Sequence, residues 1–212
     1  MNILFEKIKP ECKVIIAEII DSTELLFSEI KNDLSKTETE FYKNLKNERR
    51  KKEWLGVRLL LRKLLGSYSE IKYNTTGNPY IEHDLNISIT HSKNILGIIL
   101  SKNKDIGMDV EILSDKILRT AHKFITIEEL EAFEKKDKLK KIYLNWCCKE
   151  TLFKIKEHGG FDFKKHFKII DSEVKTSGTK ESLIFYNDYT ETYTLNYEFL
   201  KHKDSELLVV WH

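Results

Sequence analysis

Two acidic residues stand two positions apart in the run Gly107-Met108-Asp109-Val110-Glu111. In an extended strand such residues share a face with their Cα atoms about 6.5 Å apart, so Asp109 and Glu111 can aim two carboxylates at one ion. Met108 and Val110 then face a core, and Gly107 lets backbone or ligand come close. Oxygen donors with no His or Cys in the run favour Mg2+, or Mn2+, over zinc. The same alternation also describes a solvated strand face. A second run, Trp146-Cys147-Cys148-Lys149-Glu150-Thr151-Leu152-Phe153-Lys154, reads as helix. There Trp146, Glu150 and Lys154 recur every fourth residue on one face, and Lys149 is turned about 100° away. The row sets a carboxylate beside an ammonium, suited to a metal or proton at Glu150 and a phosphate at Lys154. Its plain alternative is a surface ion pair worth about a few tenths of a kcal/mol.

Thr90-His91-Ser92 lies where a strand meets a turn, and hydroxyls with an imidazole suit hydrogen bonding to phosphate. Upstream, Arg49-Arg50-Lys51-Lys52, Arg58, Arg62 and Lys63 form the charged face of a long helical segment, otherwise a solvated face. Taken together, acidic groups for a hard metal, cations and hydroxyls for phosphates and a carboxylate for proton transfer are the parts of a phosphoryl-type transfer.

The elements that must position these groups follow from periodicity. Residues 14–20 read as a strand, and Asp21-Ser22 signals a helix start. Residues 37–65 carry a helical stripe closed by Gly66. After the turn Thr76-Gly77-Asn78-Pro79, residues 86–90, 95–100 and 106–111 read as three short strands, an expected antiparallel meander. Residues 127–133 and 140–156 read as helices, the second ended by Gly159-Gly160, and 167–170, 183–186, 193–200 and 207–211 as strands. Each half thus reads as helices followed by about three strands, which suggests an α+β chain duplicated at the level of architecture.

The chain has 212 residues, 41% hydrophobic and 33% charged, enough to bury a core in one domain or two small ones. Lys plus Arg 36 against Asp plus Glu 34 leaves +2, which argues against a protein that coats nucleic acid. The first apolar run stops at Glu18, too short for a signal core or a membrane span, so a soluble cytoplasmic protein is expected. Cys12, Cys147 and Cys148 cannot all pair, and two adjacent cysteines fit neither a zinc knuckle nor a redox pair.

The ordered set Gly107-Met108-Asp109-Val110-Glu111 and Trp146-x-x-Lys149-Glu150-x-x-x-Lys154, preceded by Ile87-Ser88-Ile89-Thr90-His91-Ser92, resembles the 4'-phosphopantetheinyl transferases of the surfactin-synthetase-activating type. Arg49-Arg50 with Gly56-Val57-Arg58-Leu59-Leu60-Leu61-Arg62 resembles that family's Arg-containing helix, and Thr76-Gly77-Asn78-Pro79-Tyr80 its Gly-Lys-Pro turn.

The resemblance implies Mg2+-dependent transfer of the phosphopantetheine arm of coenzyme A to a serine of an apo acyl, peptidyl or polyketide carrier protein, releasing 3',5'-ADP. It implies Mg2+ at Asp109, Glu111 and Glu150, with Glu150 also the base and Lys154 on the phosphate. Coenzyme A contacts are implied at Arg49, Arg58, Asn78, Thr90, His91 and Lys149. It further implies two similar subdomains, 1–102 with the coenzyme A contacts and 103–212 with the metal and catalytic residues. They would be related by a pseudo-twofold with the active site between them, so that a monomer suffices. Asn78 stands where the family commonly has Lys, which removes a positive charge near the nucleotide and predicts weaker coenzyme A binding. The competing readings are a Mg2+-dependent phosphodiesterase using the same carboxylates and a non-catalytic module that binds a carrier protein through the basic helix.

Overall fold

Alternating and continuous apolar runs near the start of the chain build a hairpin, β1 (Asn2–Ile8) with β2 (Cys12–Glu18). The computed structural model describes residues 1–133, 137–156, 160–170, 173–186 and 188–212, so Gly159 lies outside the described residues. Its backbone contacts fall into two units, unit 1 (Met1–Ile106) and unit 2 (Gly107–His212).

In unit 1 the hairpin is followed by α1 (Thr23–Ile30), α2 (Lys36–Asn44) and α3 (Glu48–Leu65). A small hairpin, β3 (Ile71–Tyr73) with β4 (Pro79–Ile81), leads to β5 (Asn86–Ser92) and β6 (Ile95–Ser101). The four-stranded sheet runs β1-β2-β6-β5, antiparallel throughout. As an inner strand β6 is buried at every residue, and α3 contributes Leu55, Leu60 and Leu61 to the core that also holds Ile15 and Ile98. Each such leucine contributes about 1.5–3 kcal/mol on leaving water. The helix expected over 37–65 is two helices. Leu45 takes an extended conformation, and Asn47 accepts a hydrogen bond from the Arg50 amide at 3.1 Å, so a side chain that competes with the helical ladder starts α3 anew. Gly66 closes α3 in the left-handed conformation, φ 78°.

Unit 2 opens with β7 (Met108–Ile112), then two short 3-10 turns (Asp115–Arg119 and Ala121–Lys123), α4 (Ile127–Ala132) and α5 (Lys138–Lys156). Strands β8 (Phe167–Ile169), β9 (Ser177–Tyr186), β10 (Tyr189–His202) and β11 (Ser205–Trp211) complete a five-stranded antiparallel sheet in the order β7-β11-β10-β9-β8. Its core joins Ile142, Leu144 and Leu152 of α5 to Val110, Leu195, Leu208 and Val210 of the sheet.

The three-strand meander expected over 86–111 is not formed. Strand β6 is already flanked by β5 and β2, which leaves no free edge for β7, and β7 pairs with β11 instead. Strands also precede the helices in both units: a hairpin, β1 and β2, in unit 1 and the single strand β7 in unit 2; in each unit the last strand pairs with the strand just before the helices, β6 with β2 and β11 with β7. The chain is therefore of mixed helix and antiparallel-sheet class. Among the described residues no helix is long and apolar enough to cross a membrane.

Candidate active site

Strand β7 is held flat by its ladder to β11, with Asp109 opposite Val210 and Glu111 opposite Leu208. Met108 and Val110 are fully buried, as the alternation requires, and Asp109 is itself only 6% exposed. Helix α5 packs directly over the start of this strand. A Cβ at Gly107 would collide with the Thr151 carbonyl oxygen and stand 3.0 Å from Ile155 Cγ1, so glycine is what lets helix and strand come this close. The close approach brings the end of the Trp146–Glu150–Lys154 row to β7. Lys154 Nζ donates to the Met108 carbonyl at 2.7 Å and to Asp109 Oδ1 at 3.0 Å.

Glu150 stands one turn before Lys154 on α5. Burial, then the negative Asp109, push its carboxyl up to about 7; Lys154 opposes the shift and Glu111 adds to it. Buried Cys147 senses the same charge: burial first, then Asp109 and Glu111, holds its thiol well above the usual range. Glu150 thus feels the negative charge of both Asp109 and Glu111, with Lys154 the counter-charge that offsets them. Among the described residues no three Asp, Glu, His or Cys side chains are closed into a coordination cage. The donor set still fits a hard divalent cation: Asp109, Glu111 and Glu150 offer only carboxylate oxygens, and their mutual repulsion is what such an ion relieves. Since Lys154 engages Asp109 Oδ1, an ion there competes with that ammonium.

Glu111 and Trp146 also line a cavity of about 440 Å³ within unit 2, with Tyr143, Phe124, Ile117, Thr120, Lys116 and Lys123 completing its wall. The ring of Trp146 lies 4.8 Å from that of Phe124 and 5.6 Å from that of Phe163. Lys149 does not reach this surface. It is fully buried, its Nζ donates to the Phe124 carbonyl at 2.7 Å, and burial lowers its ammonium to about 8. The turn of about 100° that separates it from Glu150 aims it into the core.

The other residues expected to contact coenzyme A, apart from Lys149 and Lys154, lie in unit 1 and divide by exposure. Arg49 and Arg50 are exposed and share one buried partner, Glu53, at 2.8 and 2.9 Å. Arg50 Nη1 lies 3.4 Å from Nε2 of exposed His91. These groups edge a cavity of about 360 Å³ whose walls include Phe41, Trp54, Tyr73 and Ile89. A cationic and imidazole edge on an aromatic pocket can take a planar heterocycle bearing an anionic group. Thr90 is buried at 3% exposure, because β5 continues to Ser92 and successive residues point to opposite faces, so Thr90 and His91 do not present one surface. Arg58 leaves the charged face of the basic helix. At 3% exposure, its Nε donates to buried Glu38 at 2.8 Å and its guanidinium lies 3.4 Å over the Trp54 ring. Asn78 sits in the β3–β4 turn, its amide N–H donating to Asn74 Oδ1 at 2.9 Å and its side chain to Thr76 Oγ1 at 3.1 Å.

Sequence reading passed over Glu53, although the Arg49–Glu53 spacing of four was a visible helix-pair signal, and over Glu38 and Tyr143, whose partners are distant in the chain.

Residues 105–209, which fall almost wholly on unit 2 and include the carboxylates with Lys154, match the family model of the 4'-phosphopantetheinyl transferase superfamily. This half of the chain is thus similar to that superfamily. Among curated proteins it is similar to the 4'-phosphopantetheinyl transferase AcpT of Salmonella typhimurium, 26% identical over 118 residues, and to AcpT of Escherichia coli K12, 25% identical over 118 residues. Each match covers 52% of this chain and 60% of the relative, so the chain spans well under two thirds of the curated relatives it matches.

Proposed function

We propose that this chain is a member of that superfamily and transfers the 4'-phosphopantetheine arm of coenzyme A to a serine hydroxyl of an apo acyl, peptidyl or polyketide carrier protein, releasing 3',5'-ADP, in the manner of the surfactin-synthetase-activating type. The observation that carries the reading is the meeting of Asp109, Lys154 and the raised Glu150 on β7 and α5, inside the family-matched region. In this reading Asp109, Glu111 and Glu150 hold Mg2+, with Mn2+ a substitute their oxygen donors also accept. Bound there, the ion would neutralise diphosphate charge and stabilise the departing phosphate oxygen.

The chain's own residues supply the rest. Glu150 is the group assigned to accept the serine proton, directly or through one water, a contribution of about 10² to 10⁴ in rate. Lys154 exchanges Asp109 for a phosphate oxygen as the substrate arrives, which keeps its ammonium paired throughout. In unit 1, Arg49, Arg50 and His91 are the exposed groups that meet the nucleotide's phosphate, with Asn78 a neutral donor in its turn. Arg58 and Lys149 support the site from within the protein rather than touch the ligand.

Incubation with coenzyme A, Mg2+ and an apo carrier should add about 340 Da to the carrier by mass spectrometry, the mass of the transferred arm. Nucleotide release without carrier modification would mark a phosphodiesterase, and neither product a binding module. Asp109→Ala and Glu150→Gln should each abolish transfer with the fold retained by circular dichroism; near-normal turnover in either overturns the assigned roles.

A further inference from the structure

An ammonium with no exposed surface must have partners in the protein, and those of Lys149 show what it holds. Its Nζ donates to the Phe124 carbonyl at 2.7 Å and lies 4.0 Å from Glu129 Oε2. Phe124 caps the C-terminal end of the second 3-10 turn, where helix geometry leaves carbonyls without an intrahelical donor. Glu129 is the third residue of α4 and closes that helix's capping box, its Oε2 accepting from the Thr126 amide at 3.1 Å. Lys149 therefore ties α5 to the junction between the 3-10 turns and α4. At the other end of the same stretch, Tyr143 of α5 accepts from the Ser114 amide at 3.0 Å and donates to the Ser114 carbonyl at 3.1 Å. Residues 114–126 thus form a strap pinned at both ends by side chains of one helix. Between the pins, Lys116, Ile117, Thr120 and Lys123 line the cavity that Glu111 and Trp146 share.

We infer that Lys149 is a positioning residue: its buried bond to the Phe124 carbonyl sets the strap that walls the Glu111–Trp146 cavity, and it does not itself contact substrate. This assigns one residue of the Lys149-Glu150 pair to shape and its neighbour to chemistry. The bond is charge-assisted and shielded from water, so its loss unpins the strap and also leaves the Phe124 carbonyl without its donor. The kinetic part of the inference rests on the transfer reading above; the structural part does not.

The test is Lys149→Met, with Lys149→Gln, whose amide falls short of Phe124, as the second variant should Met not fold. Hydrogen exchange is read on the ligand-free protein. Strap amides between Ser114 and Thr126 should exchange about tenfold faster or more, with those of β7 unchanged. Mn2+ affinity should stay within about twofold of the parent, since Asp109, Glu111 and Glu150 are untouched. Tyr143→Phe should loosen the Ser114 end in the same way. In the transfer assay the KM for coenzyme A or for the apo carrier should rise about fivefold or more, with kcat within about threefold, because a wall has moved and not a reacting group. Unchanged strap exchange in the folded variants, or a collapse of kcat with KM preserved, would overturn the inference. A parent protein without transfer activity would sink the transfer reading and leave the exchange result to decide the role of Lys149.

Discussion

Replacing Glu38 by Ala probes a buried ion pair in unit 1. Glu38 and Arg58 are 4% and 3% exposed and meet at 2.8 Å; Glu38 also accepts from Tyr68 Oη at 2.6 Å and from the Ser35 amide at 3.2 Å, the latter closing the capping box of α2. Burial, and then its bond to Glu38, hold the Tyr68 phenol above its ordinary value, so it stays a neutral donor at neutral pH. Removing the carboxylate leaves Arg58 with the Trp54 carbonyl at 3.3 Å and the Trp54 ring at 3.4 Å. A cation–π contact contributes about 2 kcal/mol when desolvated, less than the cost of an unpaired buried guanidinium. Glu38→Ala should therefore destabilise the protein by about 3–5 kcal/mol. With a slope of about 2 kcal/mol/M, the urea midpoint should fall by about 2 M. The double variant Glu38→Leu/Arg58→Met removes both charges and refills much of the volume, and should lie within about 2 kcal/mol of the parent. Urea unfolding followed by circular dichroism and by tryptophan fluorescence reads both, since Trp54 lies under the guanidinium. A loss below about 1 kcal/mol in Glu38→Ala, or a double variant as unstable as the single, would refute the reasoning from desolvation.

Gly107→Ala should destabilise by about 1–3 kcal/mol in thermal denaturation, because the added methyl meets the Thr151 carbonyl of α5 backbone and cannot be relieved by a rotamer change. Lys154→Ala should lower turnover by about 10²-fold, far more than Trp146→Phe, yet tighten Mn2+ binding by calorimetry, since the ammonium that competes for Asp109 Oδ1 is gone. The reverse order of the two variants would mean that the Lys154 face is not the phosphate side. Asn78→Lys should lower the KM for coenzyme A about two- to fivefold at low salt and steepen its salt dependence, as an added surface cation does.

Local periodicity made the Asp109–Glu111 pair legible, because alternation along a strand is a property of neighbouring residues; Met108 and Val110 are buried as that alternation demands. The Trp146–Glu150–Lys154 row and the Gly66 cap were readable for the same reason, as short-range geometry of one helix. Breaks were harder to see: the apolar stripe continues across residues 45–47, while a single capping side chain at Asn47 divides the helices.

What the chain alone determined is the inventory of oxygen donors and cations and the faces they occupy on their own strands and helices. Which sheet receives β7, that Arg58 turns inward to Glu38, that Thr90 and His91 part to opposite faces and that Lys149 reaches Phe124 were decided by tertiary packing. The physical reason is range. A periodicity is fixed by bonds within a few residues, whereas a buried charge takes whichever partner the fold brings to it, 20 residues away for Arg58 and 25 for Lys149, and the cost of leaving it unpaired makes that choice binding.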